Sequence, residues 1–216
     1  MLNPVKTVFL LSPAYCGGRR ATYLLREGST IALASKLRES TLTLGDAFSF
    51  MSGLYFRGKL AYTRAFGRHS PPGLVITPTR GLLPPESIVT AAVLHEFAAV
   101  DVDAADDRYR TPLVESVERL KQALSPDARV VLLGSIATGK YVDVLTSALG
   151  ECLQFPTDFI GRGDMSRGGL MLRSVGSGVE LDYTPLRPDV RRRGARPPKL
   201  APLRAGSQGA PSASTF

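Results

Sequence analysis

Tryptophan is missing from this 216-residue chain, and cysteine and histidine occur twice each. Cys16 and Cys152 supply neither a disulfide framework nor a zinc site, and His69 and His95 are too few for a histidine-built metal centre. Neither a metal nor a cofactor is therefore expected. No apolar run approaches the roughly 18 residues of a membrane helix, so no membrane partner is expected either. The apolar stretch Val8 to Leu11 is cut short by Ser12-Pro13, and Tyr15 before Cys16 does not suit a lipoprotein signal. A reducing, cytoplasmic setting is expected.

What is present is enough apolar surface, 44% of residues, to bury a core in one domain of ordinary size. The net charge of +8 is unevenly placed. Residues 187–216 carry seven basic side chains and one acid, residues 1–80 eleven and three, and residues 81–158 six and twelve. The body is basic at its N-terminal part and acidic in its middle, and the tail is basic.

Along the chain, short apolar runs alternate with helical stretches. Buried strands are predicted at 5–11, 73–77, 129–133 and 151–155, with a further short one at 97–102. Helices are predicted at 31–37, around 23–25, at 113–124 and at 140–149, and over 47–68 with Asp46 as N-cap and a break near Gly53 or Gly58. Residues 169–175 and 179–184 flank Gly176-Ser177-Gly178 and read as a hairpin. The fold class is α/β: a mixed, mainly parallel central sheet flanked by helices, a C-terminal β-hairpin, and a disordered basic tail. One domain spans 1–187, and the Pro/Arg-rich tail 188–216 follows.

In an open α/β sheet, ligands bind beyond the carboxyl ends of the strands. The segments that follow the predicted strands hold Ser12, Arg19 and Arg20; Arg80; Ser135, Thr138, Gly139 and Lys140; and Arg162 and Arg167. Together they would line a cleft for a phosphate-bearing ligand, held by arginine forks and backbone N–H groups. The plainer alternative is that Gly and Arg are common in exposed loops. Residues 134–141 follow the phosphate-loop pattern at Gly134, Gly139 and Lys140 but have Tyr141 where a metal-binding hydroxyl belongs. That leaves either a phosphate-touching glycine loop or a plain turn.

Cys16, between a strand and a helix N-terminus, is a candidate nucleophile or a small packing residue. Asp164, between Arg162 and Arg167, is a candidate acid–base group or an arginine-orienting one. The acids Asp101, Asp103, Asp106 and Asp107 form a solvated turn, or Asp107 pairs with a cleft arginine or acts as an acid–base group. Arg57 and Lys59 beside Tyr55 and Phe56 suit single-stranded nucleic acid, unless those aromatics belong to the core. Arg191, Arg192 and Arg193 would add sequence-independent phosphate attraction.

Leu10-Leu11-Ser12-Pro13-Ala14, Leu54-Tyr55-Phe56-Arg57-Gly58-Lys59, the string from Leu74 to Pro84 and the strand–Gly–helix unit at 129–149 occur in that order. The series resembles the YaaA-like peroxide-stress proteins, an uncharacterised α/β domain family of bacteria and phages, and a domain attached to archaeal enzymes of deazaguanine tRNA modification. The YaaA-like pattern has Lys-Thr where this chain has Tyr15-Cys16, so the basic group would come from Arg19 or Arg20. The resemblance implies a basic cleft and a link to DNA maintenance, stress or nucleobases. The leading expectation is a nucleic-acid- or nucleotide-binding protein with an Arg/Lys-lined cleft. The alternatives are an enzyme acting on a nucleotide, nucleobase or other phosphorylated small molecule, and an interaction protein whose basic tail docks an acidic protein partner.

Overall fold

Phe9, Leu10 and Leu11 are apolar in succession, as a strand buried on both faces requires. In the computed structural model, which describes residues 7–68, 72–187, 194–198 and 200, that strand, β1 (Thr7–Leu11), lies inside a six-stranded mixed sheet. The other strands are β2 (Gly73–Ile76), β3 (Leu82–Leu83), β4 (Arg129–Leu133), β5 (Leu153–Pro156) and β6 (Tyr183–Pro185), in the order β3-β2-β1-β4-β5-β6. β2, β1, β4 and β5 run parallel, and β3 and β6 are antiparallel edges.

Side chains alternate across the sheet with period two. Phe9, Leu11, Val75, Val131 and Leu133 face one core layer, with Phe48, Phe56, Tyr62 and Phe97. Leu10, Ile76, Val130 and Leu132 face the other, with Tyr109, Leu113, Val142 and Leu145. The eight α-helices among the described residues are α1 (Arg19–Leu25), α2 (Ala32–Arg38), α3 (Leu44–Ser52), α4 (Leu54–Phe66), α5 (Ala91–Ala98), α6 (Asp107–Ala123), α7 (Gly139–Leu149) and α8 (Asp164–Ser177). None is long and apolar enough to cross a membrane.

Several expected elements are corrected. The hairpin at 169–184 is instead α8 followed by β6, which pairs with β5. Its buried positions Arg167, Gly168, Met171 and Ser174 keep helical spacing, and Gly178 at φ 69° is the left-handed C-cap rather than a hairpin turn. The strand at 97–102 is the end of α5 and a coil, because Thr90 caps a helix by accepting from the Val93 amide. The stretch at 47–68 is two helices divided at Gly53 (φ 66°), as expected, but the first is capped by Thr43 instead of Asp46. α6 starts at Asp107 rather than 113, with Asp106 as its cap.

The crossing of α4 over α8 is unusually close. A Cβ on Gly58 would lie 2.8 Å from the Gly168 carbonyl, and one on Gly168 would lie 2.8 Å from the Leu54 carbonyl. The two helices therefore meet backbone to backbone, which brings Tyr55 and Lys59 beside Asp164 and Arg167. Residues 194–198 pass close to Ile160 and Gly161. The expected tail residues Arg191, Arg192 and Arg193 lie outside the described residues.

Candidate functional site

The chain leaves β1 for β2 on one side and returns to β4 on the other, so the strand order reverses between β1 and β4. Such a fork opens a crevice at the carboxyl ends of the strands. A cleft of about 400 Å³ lies there, lined by Ser12 to Cys16 after β1, Pro78 after β2, and Ser135, Lys140 and Tyr141 after β4. Met51, Tyr55, Phe97, Asp101 and Asp164 complete its walls.

Behind the lining residues Ser12 and Tyr55 sits an enclosed amine. Lys59 has no exposed surface; its Nζ donates to the Ser12 carbonyl at 2.9 Å and lies 2.6 Å from Ser12 Oγ. The Nζ also stands 3.9 Å from the centre of the Tyr55 ring. Burial pushes Lys59 down to about 7, with Asp164 pulling it up and Arg167 pushing it further down. Among the described residues no carboxylate reaches it at ion-pairing distance.

Two tyrosines flank this pair. The Tyr141 hydroxyl lies against Gly134 and Ser12; burial raises its pKa, while the Ser12 hydroxyl and the Ser135 backbone act the other way. The Tyr55 hydroxyl is enclosed with no partner at hydrogen-bond geometry, and burial raises it against the pull of the nearby Arg167 guanidinium. Arg167, itself buried, donates to the Phe159 carbonyl at 3.2 and 3.3 Å and to Asp164 Oδ1 at 3.3 Å. It thereby holds Asp164, whose side chain remains largely exposed at the rim.

Of the expected site residues, the cleft walls include Ser12, Cys16, Ser135, Lys140 and Asp164. Thr138 caps α7 without a side-chain hydrogen bond, and Gly139 borders an adjoining depression shared with Lys140, Asp101 and Asp143. The arginine-lined cleft needs correcting. Arg80 is spent on a bidentate pair with Glu96 at 3.0 and 2.7 Å. Arg20 donates to the Phe50 carbonyl and shares a separate concavity with Arg57. Arg162 donates to the Asp158 carbonyl and faces a third groove, with Arg173 and Arg196. Arg19 is exposed and lines none of these hollows. The cleft lining holds one lysine, Lys140, together with Asp101 and Asp164, instead of a ring of cations.

Two further roles fall on burial. The Cys16 thiol is enclosed and pushed up to about 12 by desolvation, so it does not serve as a thiolate nucleophile near neutral pH. Lys59 is too deeply buried to touch a nucleic acid. Tyr55, Tyr141 and Asp101 join the cleft without having been expected as part of it; the sequence marked Tyr55 only in an aromatic–basic string, Tyr141 only in a phosphate-loop-like one, and Asp101 only in an acidic turn. Among the described residues no group of three or more His, Cys, Asp or Glu could hold a metal. No family model, curated protein or solved structure matches the chain.

Proposed function

We propose that the protein binds a compact heteroaromatic ligand of the nucleobase or nucleoside class in the cleft between β1 and β4. The observation that carries this reading is the mixed lining of that cleft. Tyr15, Tyr55 and Phe97 contribute aromatic side chains to it, Asp101 and Asp164 contribute carboxylate acceptors, and Lys140 contributes a donor. Phosphate fits this rim poorly, because two carboxylates stand beside one lysine.

The test is thermal stabilisation by free bases, nucleosides and nucleotides. At about ten times its Kd a ligand adds ~1.4 kcal/mol, a rise of roughly 3–6 °C for a chain of this size. Bases or nucleosides should give that rise, their phosphates a smaller one, and Asp164→Asn should reduce it. Larger stabilisation by nucleotides than by nucleosides, or none by either, overturns the reading.

A second reading, that the protein binds nucleic acid, is favoured by the outer surface. Met165, 66% exposed, borders both the hollow with Arg20 and Arg57 and the groove with Arg162, Arg173 and Arg196. A phosphate backbone laid across that face would meet arginines on either side of an apolar contact. Binding of a DNA or RNA oligonucleotide at 50 mM salt, weakened by Arg20→Ala and Arg57→Ala together, tests it. Unmeasurable affinity at that salt removes it.

A further inference from the structure

We propose that Ser12 and Lys59 are a nucleophile and its general base, making the cleft a centre for acyl transfer to water from a carboxylic ester of a compact ring-bearing group. The inference rests on the cleft being a ligand site, and it adds a reaction to that site.

Four observations converge on it. Ser12 directly follows the central strand β1 and, though only 5% exposed, lines the cleft where a bound ester would lie. Lys59 Nζ lies 2.6 Å from that Oγ, within reach of a direct proton transfer. The amine is aimed: it bonds the Ser12 carbonyl at 2.9 Å and packs over the Tyr55 ring at 3.9 Å. A lysine kept only to link α4 to β1 as an ammonium would need a carboxylate in so enclosed a place, and none of the described ones pairs with it. A neutral amine needs no such partner. Nζ donates to both Ser12 oxygens, and once it has lost one proton its lone pair can take the Ser12 hydroxyl proton as Oγ attacks.

The surroundings suit the step. The first-turn amides of α7, left without a side-chain cap by Thr138, border the cleft beside Ser135 and Tyr141, where a developing oxyanion would find donors. The Tyr141 hydroxyl stands against Ser12. The groups that face the amine are Ser12 from β1, Tyr55 from its own helix, Tyr141 from α7, and Asp164 and Arg167 from α8. A single rim lysine among carboxylates favours an uncharged ester over a phosphoryl group.

In the first half-reaction Ser12 Oγ bonds to the ester carbon and its proton passes to Lys59 Nζ. The tetrahedral centre collapses, the C–O bond to the leaving alcohol breaks, and the proton on Lys59 goes to that oxygen. In the second half-reaction water adds to the acyl-Ser12 carbon and gives its proton to Lys59. The acid leaves and Ser12 Oγ recovers the proton.

The experiment uses the full chain with two probes: p-nitrophenyl acetate as substrate and a fluorophosphonate as covalent label. Mass spectrometry should locate the label on Ser12. Acetate release should rise tenfold per pH unit below a midpoint near 7 and level off above it. Ser12→Ala should abolish labelling and release. Lys59→Arg, folded by circular dichroism, should lower the rate at pH 7.5 by 10²-fold or more and remove the midpoint. Wild-type protein that leaves Ser12 unlabelled at pH 8, or that releases acetate equally after Ser12→Ala, overturns the inference. Nucleoside stabilisation without Ser12 labelling retains the binding reading and rejects the reaction. Labelling without nucleoside stabilisation supports the reaction and rejects that ligand class.

Discussion

Arg57 and Lys59 are two residues apart on α4, yet they end in opposite environments. Arg57 is exposed and borders the hollow it shares with Arg20, while Lys59 has no exposed surface and sits behind the Ser12 and Tyr55 wall of the cleft. Positions two apart on a helix fall on opposite sides. α8 repeats the contrast: Met165 is exposed, whereas Arg167 is buried against Phe159. On the outer side a basic residue is a solvated charge with a carbonyl or carboxylate to hold it. On the inner side it loses water, and Lys59 becomes an amine that is neutral for part of the time near pH 7. Helix phase decides which basic side chains are solvated and which are enclosed, and only an enclosed lysine can then lose its proton near neutral pH.

The strongest way to disturb both sides at once is to push α4 away from α8. Gly→Ala inside a helix ordinarily stabilises by about 1 kcal/mol. At Gly168 the new methyl would meet the Leu54 carbonyl and the Tyr55 Cα at 2.8 and 2.9 Å, and neither is the end of a flexible side chain. Gly168→Ala should therefore destabilise by about 2–3 kcal/mol, a fall of roughly 5–10 °C in Tm, and Gly58→Ala should do nearly as much. Denaturant titration checks the sign. A stability gain in either variant would mean that the two helices do not meet backbone to backbone.

A cut confined to the inner side is Lys59→Met. The folded pKa of Lys59, about 7, lies below its unfolded value of 10.5. Between those values the unfolded chain holds a proton that the native state has released, so stability rises with pH by about 1.4 kcal/mol per unit. The clean window is pH 7–8.5, below the ordinary pKa values of 9.0 for Cys16 and 10.0 for the buried tyrosines, whose raised native values act with the opposite sign. Over it the wild type should gain roughly 2 kcal/mol relative to Lys59→Met. Parallel curves would place the amine in solvent contact and undo the contrast with Arg57.

Much of this architecture was legible in the sequence, and the exceptions have causes. The parallel strands announced themselves as continuous apolar runs, and the cleft agrees with the rule that ligands bind at strand carboxyl ends. The hairpin failed because Gly176-Ser177-Gly178 punctuates either a hairpin or a helix C-cap, and only the spacing of Arg167, Met171 and Ser174 separates the two. The arginine-lined cleft failed for a different reason. Sequence places Arg80 in a loop after a strand, but not Glu96 on α5, which captures it. Lys59 was visible as a basic residue between aromatics; nothing local revealed that α8 would close over it, because that depends on two glycines 110 residues apart.

A cut confined to the outer side is Arg20→Ala with Arg57→Ala. If nucleic acid lies across the Met165 face, removing two phosphate contacts should weaken oligonucleotide binding at 50 mM salt by roughly tenfold and reduce the salt slope by about 2. Stabilisation by nucleosides in the cleft should not change. Equal losses of both would show one continuous site instead of two.

The smallest effect is expected at Arg80, which belongs to neither region. Its guanidinium forks onto Glu96 on the surface, and Thr79 also donates to the same carboxylate. Glu96 is held below the ordinary carboxylate range, chiefly by the Arg80 hydrogen bonds. Both side chains stay well exposed to water, which screens the pair, so Arg80→Ala should cost less than about 1 kcal/mol. Because Glu96 would keep the Thr79 hydroxyl and solvent as partners, no buried charge is stranded. Nucleoside stabilisation and oligonucleotide affinity should both match the wild type. Loss of either would mean that Arg80 leaves Glu96 to reach a ligand, and that the cleft gains a cation on binding.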